Sequence, residues 1–372
     1  MLEPKPYINY IGTAVPEHKI PQTQIGRFMS EALNMNEEAA HKLEVLYRAS
    51  GIRYRHSVLA DYARPVDQFE FYPANKSLDP FPNISQRMRV YEEEAIKLSL
   101  NAIENALPSH FDYSSVTHLI TISCTGMYAP GLDIEIVREL GLSSSVHRTA
   151  INFMGCYAAF NGFKLAASIC KGDPNACVLL VAVELCTIHF QKDLSEDTLL
   201  ANALFSDGAA AALITASPTN GSLKMENFHS DIAFSGIEEM AWQIDHSGFV
   251  MKLTALVPTI IEQHIESLTE HLLKSLGISL EDIDYYAIHP GGKRILAVIE
   301  RKLKIKAHQN RTAHEVLKEF GNMSSPTILF VLKELQAQLK GSTDTSKLLS
   351  FAFGPGLTLE SMLLERVGDE EL

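Results

Sequence analysis

Cys156 stands in Ala150-Ile151-Asn152-Phe153-Met154-Gly155-Cys156-Tyr157-Ala158-Ala159, which reads as strand, tight turn and helix with the cysteine at the turn. A thiol there meets the unpaired N–H groups and the positive end of the helix dipole, which favour thiolate and offer an oxyanion donor. A buried structural cysteine is the alternative reading of the same stretch. Two polar residues open glycine-rich turns further on: His289 in Ile288-His289-Pro290-Gly291-Gly292-Lys293, and Asn322 in Gly321-Asn322-Met323-Ser324-Ser325-Pro326. Alone, the histidine reads as a satisfied core or surface residue and the asparagine as part of a helix N-cap region. Together with Cys156 they form an acyl-transfer set. The imidazole stabilises thiolate, and both side chains can donate hydrogen bonds to a developing oxyanion.

The elements that must position these groups occur twice. Apolar residues at Met88, Tyr91, Ala95, Leu98 and Ala102 keep helical spacing and precede the strand-like His118 to Ser123; Ile261, Ile265, Leu268, Leu272 and Leu276 likewise precede Tyr285 to His289. A helix from about Tyr157 to Lys171 precedes strand Cys177 to Val183, as one from Ser325 to Leu339 precedes strand Leu348 to Phe353. Each pair then meets a glycine turn, Phe205-Ser206-Asp207-Gly208 or Phe353-Gly354-Pro355-Gly356, leading into Ala209 to Thr215 and Leu357 to Leu364. The turn formers Ser217 to Ser222 separate the copies. Helix and strand alternation of this kind implies an α/β fold with strands buried on both faces, built from two duplicated halves, residues 1–216 and 223–372.

Composition agrees with a folded enzyme. The 372 residues amount to about two or three domain lengths, and 46% hydrophobic with 21% charged residues argues against disorder. A net charge of −13 gives no support to a general nucleic-acid surface. The N-terminus lacks a basic region followed by an apolar stretch, and no run reaches the ~18 apolar residues of a membrane span, so a cytoplasmic protein without membrane partners is expected. Five cysteines without a CxxC pair suggest neither a disulfide framework nor a metal site.

Gly155-Cys156-Tyr157-Ala158, His289-Pro290-Gly291-Gly292, Gly321-Asn322-Met323-Ser324-Ser325 and Gly354-Pro355-Gly356-Leu357-Thr358 resemble, in order, the signatures of type III polyketide synthases, the chalcone synthase-like family of the thiolase superfamily. The resemblance spans nearly the whole chain. It implies the thiolase fold, a duplicated five-layer α/β/α/β/α arrangement, in a homodimer. It also implies a reaction without cofactor or metal. Cys156 takes the acyl group of a starter acyl-CoA, and His289 and Asn322 hold the enolate left by decarboxylation of malonyl-CoA and then the condensation oxyanion. Repeated extension precedes cyclisation to a pyrone, resorcinol, phloroglucinol or chalcone-type product.

By the same resemblance Phe205 is the gate between a CoA tunnel and an inner cavity, and Cys124, Thr125, Cys186, His189, Met251 and Ser324 line that cavity. The basic residues that family members bring to the CoA phosphates are only partly matched, by Lys42, Arg48 and Arg53, with Lys293 as an addition; a solvated helix face is the other account of these charges. Two rivals remain. A ketoacyl synthase III-type enzyme shares the fold and the Cys-His-Asn set but performs a single condensation; its histidine motif commonly continues Gln-Ala-Asn, where this chain has Pro290-Gly291-Gly292. A non-catalytic acyl-binding scaffold would be expected to have lost at least one of the three reactive positions.

Overall fold

The computed structural model describes residues 4–341 and 345–368; the outermost residues of the two expected halves, 1–3 and 369–372, lie outside them. Nine strands form one continuous sheet, in the order Tyr285–Ile288, Ser346–Gly354, Thr358–Arg366, Leu223–Ile232, Tyr7–Ala14, Asp207–Thr215, Cys177–Leu185, His118–Ser123 and His147–Asn152. The duplication is visible in the pairing directions. His118–Ser123 runs parallel to Cys177–Leu185, which is antiparallel to Asp207–Thr215, itself antiparallel to Tyr7–Ala14. In the second half Tyr285–Ile288, Ser346–Gly354, Thr358–Arg366 and Leu223–Ile232 repeat that sequence of directions. Among the described residues the half-sheets are joined by the pairs Tyr7 with Lys224 and Ile8 with Leu223, and by Met225 N–H donating to the Pro6 carbonyl at 2.9 Å.

Five layers result. Helices Ala158–Gly172 and Thr327–Gln338 lie between the half-sheets: the first packs on Cys177–Leu185 and on Thr358–Arg366, the second on Tyr285–Ile288 and on Tyr7–Ala14. Helix Ile84–Ala106 covers the outer face of the first half, and Val257–Lys274, beside Lys293–Leu303, covers that of the second. A central helix therefore needs apolar residues on every side, and Thr327 through Leu332 are all buried. Strands between layers are apolar for the same reason, as in Val178 through Val183, all fully buried. Each such Leu, Ile or Val contributes ~1.5–3 kcal/mol by leaving water.

The sequence periodicities hold in these elements, with ends moved by a few residues. Leu223–Ile232 and the hairpin Met240–Asp245/Gly248–Leu253 carry no clear period and were not anticipated. No described helix is long and apolar enough to cross a membrane.

Candidate active site

The strand His147–Asn152 gives way to Phe153, held in the left-handed region at φ 60°, and to Gly155 at φ 77°. A Cβ on Gly155 would lie 2.3 Å from Pro355 Cδ, so only glycine lets the Gly354-Pro355 loop close over this turn. The turn Gly155–Tyr157 runs directly into helix Ala158–Gly172, with no side chain capping it, and leaves Cys156 at the helix entrance. The Gly155 N–H donates to Cys124 Sγ at 2.9 Å.

Cys156 is 5% exposed. Burial pushes its thiol up to about 11, opposed by hydrogen bonds from the Ser324 and Asn322 side chains, with the Glu184 carboxylate adding to the rise. The resting sulfur is therefore a thiol at neutral pH. The thiolate expected from the helix terminus alone is not the outcome, because desolvation outweighs a partial dipole charge.

Asn322 and His289 reach this point from the second half. The Asn322 N–H donates to the Leu204 carbonyl at 3.0 Å, and its carbonyl accepts from Ser206 N–H at 2.9 Å. Its side chain is held at both ends, Oδ1 accepting from Ser324 N–H at 2.8 Å and Nδ2 donating to the Gly291 carbonyl at 3.3 Å. That second bond joins the asparagine turn to the His289 loop. His289 is anchored by its own N–H to the Phe351 carbonyl at 2.8 Å, and its ring is buried with neither nitrogen partnered among the described residues. Burial lowers it to about 3, so the imidazole is neutral, with one N–H and one lone pair uncommitted. The structure thus brings the three sequence-predicted residues into one neighbourhood.

The remaining predicted residues divide. Phe205, Cys186, His189 and Met251 line one cavity of about 40 Å³, together with Trp242 and Phe249. Cys124, Thr125 and Ser324 stand outside that wall. Ser324 acts on the Cys156 thiol, whose rise its side chain opposes, whereas Cys124 and Thr125 turn to Glu184, whose Oε2 accepts from Cys124 N–H at 2.9 Å and Thr125 Oγ1 at 2.8 Å. Glu184 Oε1 accepts from Ser325 Oγ at 2.6 Å, so this carboxyl bridges both halves beneath the site, and burial raises it to about 7. A single carboxylate ending a fully apolar strand was the signal for it.

A second, apolar cavity of about 160 Å³ is lined by Leu46, Ala203, Leu204, Leu253, Gly292 and Lys293. Leu204 and Phe205 are consecutive, both face Asn322 across the backbone pairing, and they line different cavities. Of the four basic candidates only Lys293 borders this pocket. Lys42 and Arg48 are engaged on an exposed helix face with Glu38 and Glu44, each at 2.6 Å. Arg48 and Arg53 line a separate surface groove, where Arg53 lies 5.0 Å over the Tyr54 ring.

His189 is bonded at both nitrogens: Nε2 to the Thr125 carbonyl at 2.7 Å, and Nδ1 accepting from Phe249 N–H at 3.0 Å. Its ring stacks on Phe249 at 4.3 Å and 6°, and Trp242 stands edge-on to both at 5.9 Å. Burial lowers this imidazole to about 3 as well, which leaves a neutral aromatic wall. Sequence reasoning missed Trp242 and Phe249; the lone tryptophan of the chain was the available signal.

The profile of the N-terminal domain of chalcone and stilbene synthases matches residues 3–218, and that of their C-terminal domain matches residues 231–368. The alpha-pyrone synthesis polyketide synthase-like Pks18 of Mycobacterium tuberculosis is 30% identical over 96% of this chain and 90% of its own length. Type III polyketide synthase C of Arabidopsis thaliana is 28% identical over 96% and 94%. The crystal structure of the C-terminal type III polyketide synthase domain of Steely1, from Dictyostelium, superposes with a TM-score of 0.88 at 29% identity, covering 98% of this chain and 99% of that one. The chain belongs to the chalcone and stilbene synthase family: it is a type III polyketide synthase, an acyltransferase with the thiolase-like fold.

Proposed function

We propose that the protein performs iterative decarboxylative condensation of malonyl-CoA onto an acyl-CoA starter, with Cys156, His289 and Asn322 as the reacting groups and no cofactor. The observation that carries this reading is His289, a buried neutral imidazole with both nitrogens uncommitted, whose loop is tied at Gly291 to Asn322, a side chain that also acts on the Cys156 thiol. In the loading step the Cys156 proton passes to the imidazole as sulfur attacks the starter thioester. The C–S bond to CoA breaks, and the departing sulfur takes that proton as free CoA. Malonyl-CoA then loses CO2, and the electron pair of the broken C–C bond becomes an enolate whose oxygen is held by His289 and Asn322 Nδ2. The enolate carbon attacks the acyl-Cys156 carbonyl, and the tetrahedral intermediate expels the cysteine sulfur for the next round.

Phe205, on the wall of the inner cavity and next in the chain to Leu204 of the apolar pocket, is the gate. The 160 Å³ apolar pocket is the entry for the pantetheine arm, with Lys293 placed for a CoA phosphate and Lys42, Arg48 and Arg53 further out. The inner cavity of about 40 Å³ holds about three waters, at ~10–15 Å³ for each. That size and its aromatic wall favour a small aliphatic starter and few extensions, closing to a pyrone in preference to a larger resorcinol, phloroglucinol or chalcone-type ring.

Residues 1–216 and 223–372 are the two halves of this machine, and the working form is a cytoplasmic homodimer. The edge strand His147–Asn152 supports a partner: His147 through Ala150 and Asn152 are exposed, and one side of the strand carries no ladder among the described residues. The test is incubation with malonyl-CoA and a panel of aliphatic and aromatic acyl-CoAs, with products identified by mass. Cyclised products of several extensions support the reading. Single ketoacyl products formed only with a carrier protein support the ketoacyl synthase III alternative.

A further inference from the structure

Arg55, in the short strand Tyr54–Ser57, is 3% exposed, and no carboxylate lies in ion-pair contact with it among the described residues. A buried guanidinium without such a partner needs another source of negative potential. It finds one at the C-terminal end of helix Glu196–Leu204. Nη1 donates to the Asn202 carbonyl at 2.7 Å and to the Phe205 carbonyl at 2.9 Å, while Nε donates to Gln22 Oε1 at 2.8 Å. Gln22 Nε2 in turn donates to the Ala203 carbonyl at 2.7 Å, and the Tyr47 hydroxyl donates to the Asn202 carbonyl at 3.1 Å. The remaining carbonyl of the series, Leu204, accepts from Asn322 N–H. Four consecutive carbonyls at a helix end, each ordinarily left to solvent or a cap, are thus filled by Arg55, Gln22, Tyr47 and Asn322. The cation sits where the helix dipole places partial negative charge.

The stem of Arg55 also touches the asparagine turn. A Cβ on Gly321, at φ 72°, would lie 3.0 Å from Arg55 Cγ and 3.2 Å from the Leu204 carbonyl oxygen, so the backbone just before Asn322 rests on the arginine. One side chain therefore fixes both the carbonyl of Phe205 and the approach to Asn322.

We propose that Arg55 is a positioning residue that holds the Phe205 gate and the Asn322 donor in a common register. This rests on the functional reading above, in which Asn322 stabilises the enolate. Arg55→Lys keeps the charge and loses the planar fork, so Gln22, held from Nε, and the two carbonyls, held from Nη1, can no longer be fixed by one rigid group. In the full-length protein, with active sites counted by stoichiometric alkylation of Cys156, kcat for malonyl-CoA decarboxylation should fall about tenfold while KM stays within about twofold, as expected when a donor is misplaced without loss of substrate binding. In an Asn322→Ala background the same change should cost less than about twofold, since both act through one group. If Arg55→Lys does not fold, Gln22→Met tests the same clamp, with a smaller loss of the same kind.

Unchanged kcat per titrated site, with only a lower melting temperature, would make Arg55 a purely structural residue and overturn the inference. Losses that multiply in the double variant overturn it too. Absence of decarboxylation in the wild type overturns the functional reading itself, whereas a wild type and an Asn322→Ala variant that behave as stated leave that reading standing whatever Arg55 does.

Discussion

Trp242 Nε1 donates to the Cys124 carbonyl at 2.6 Å, and Cys124 Sγ accepts the N–H of Gly155, the residue before the proposed nucleophile. The indole is thereby tied to the turn that carries Cys156. It cannot swing out of the inner cavity without leaving that carbonyl unpaired.

Shortening this side chain should therefore enlarge the cavity and change the product. Trp242→Ala is expected to extend the polyketide by one or more units or to admit bulkier starters, at a stability cost of ~3 kcal/mol for a large aromatic. Malonyl-CoA decarboxylation should hold within about threefold, since no oxyanion donor is touched. Product masses across the starter panel check it, and an unchanged profile from a folded, decarboxylating variant refutes the role given to Trp242.

His189 allows a sharper comparison within the same wall. His189→Ala also opens space, but it strands Phe249 N–H and the Thr125 carbonyl, each costing ~1–3 kcal/mol when buried without a partner. We expect the product shift of Trp242→Ala in milder form, with a larger fall in melting temperature than the lost volume explains. His189→Gln, which can restore one of the two bonds, should recover part of that stability. If Ala and Gln variants melt alike, the two hydrogen bonds contribute little.

The architecture was largely legible because its signals are local. Helical spacing at Ile261 through Leu276 and apolar runs such as Cys177 to Val183 report burial by a single element, and they recur in both halves. Cys156, His289 and Asn322 were legible for a related reason, each sitting at a glycine turn where a strand meets a helix. Arg55, Glu184 and Trp242 were not. Their roles depend on distant partners, Trp242 on Cys124, 118 positions away, Glu184 on Ser325, 141 away, and Arg55 on Phe205, 150 away, and no periodicity encodes such meetings. The state of Cys156 was misjudged because a sequence shows the helix terminus but not the depth of burial.

Cys156→Ala separates the two halves of the mechanism. The enolate is held by His289 and Asn322, so decarboxylation of malonyl-CoA should persist while condensation is lost entirely. Release of CO2 and product formation, measured on the same sample, decide this. A variant that still makes full-length product would show that the acyl group is carried elsewhere.

With a thiol raised to about 11, the thiolate fraction at pH 7 is only ~10⁻⁴ and grows tenfold per pH unit. Iodoacetamide should therefore alkylate Cys156 at a rate rising about tenfold per unit from pH 7 to 9. A rate already level at pH 6 would mean that the cysteine and His289 rest as a thiolate and imidazolium pair, contrary to the neutral pair described above.

Acid stability follows from five buried groups. Burial lowers His56 to about 4 and His189 and His289 to about 3, from an ordinary value near 6.5. Below pH 6.5 the unfolded chain binds protons that the native chain refuses, so each of these histidines removes stability as pH falls. Burial raises Glu184 to about 7 and Asp207 to about 6, and these act in the opposite sense. The native chain keeps protons there that the unfolded chain gives up above about pH 4, so their contribution is present in acid and is lost as pH rises through their native values. Between about pH 5 and 6 three imidazoles stand against two carboxyls, and the net slope is that of about one proton, ~1.4 kcal/mol per unit. Below about pH 4.5 the carboxyls begin to protonate in the unfolded chain as well, but His56 begins to accept its own proton in the native chain, so the slope rises only to between one and two protons, ~2 kcal/mol per unit. Urea denaturation midpoints at pH 7, 5.5 and 4 should thus fall over both intervals, about twice as much over the second as over the first. An even decline from pH 7 would mean that Glu184 and Asp207 are ionised in the native protein, and a flat response down to pH 4 would mean that the three imidazoles accept protons without unfolding.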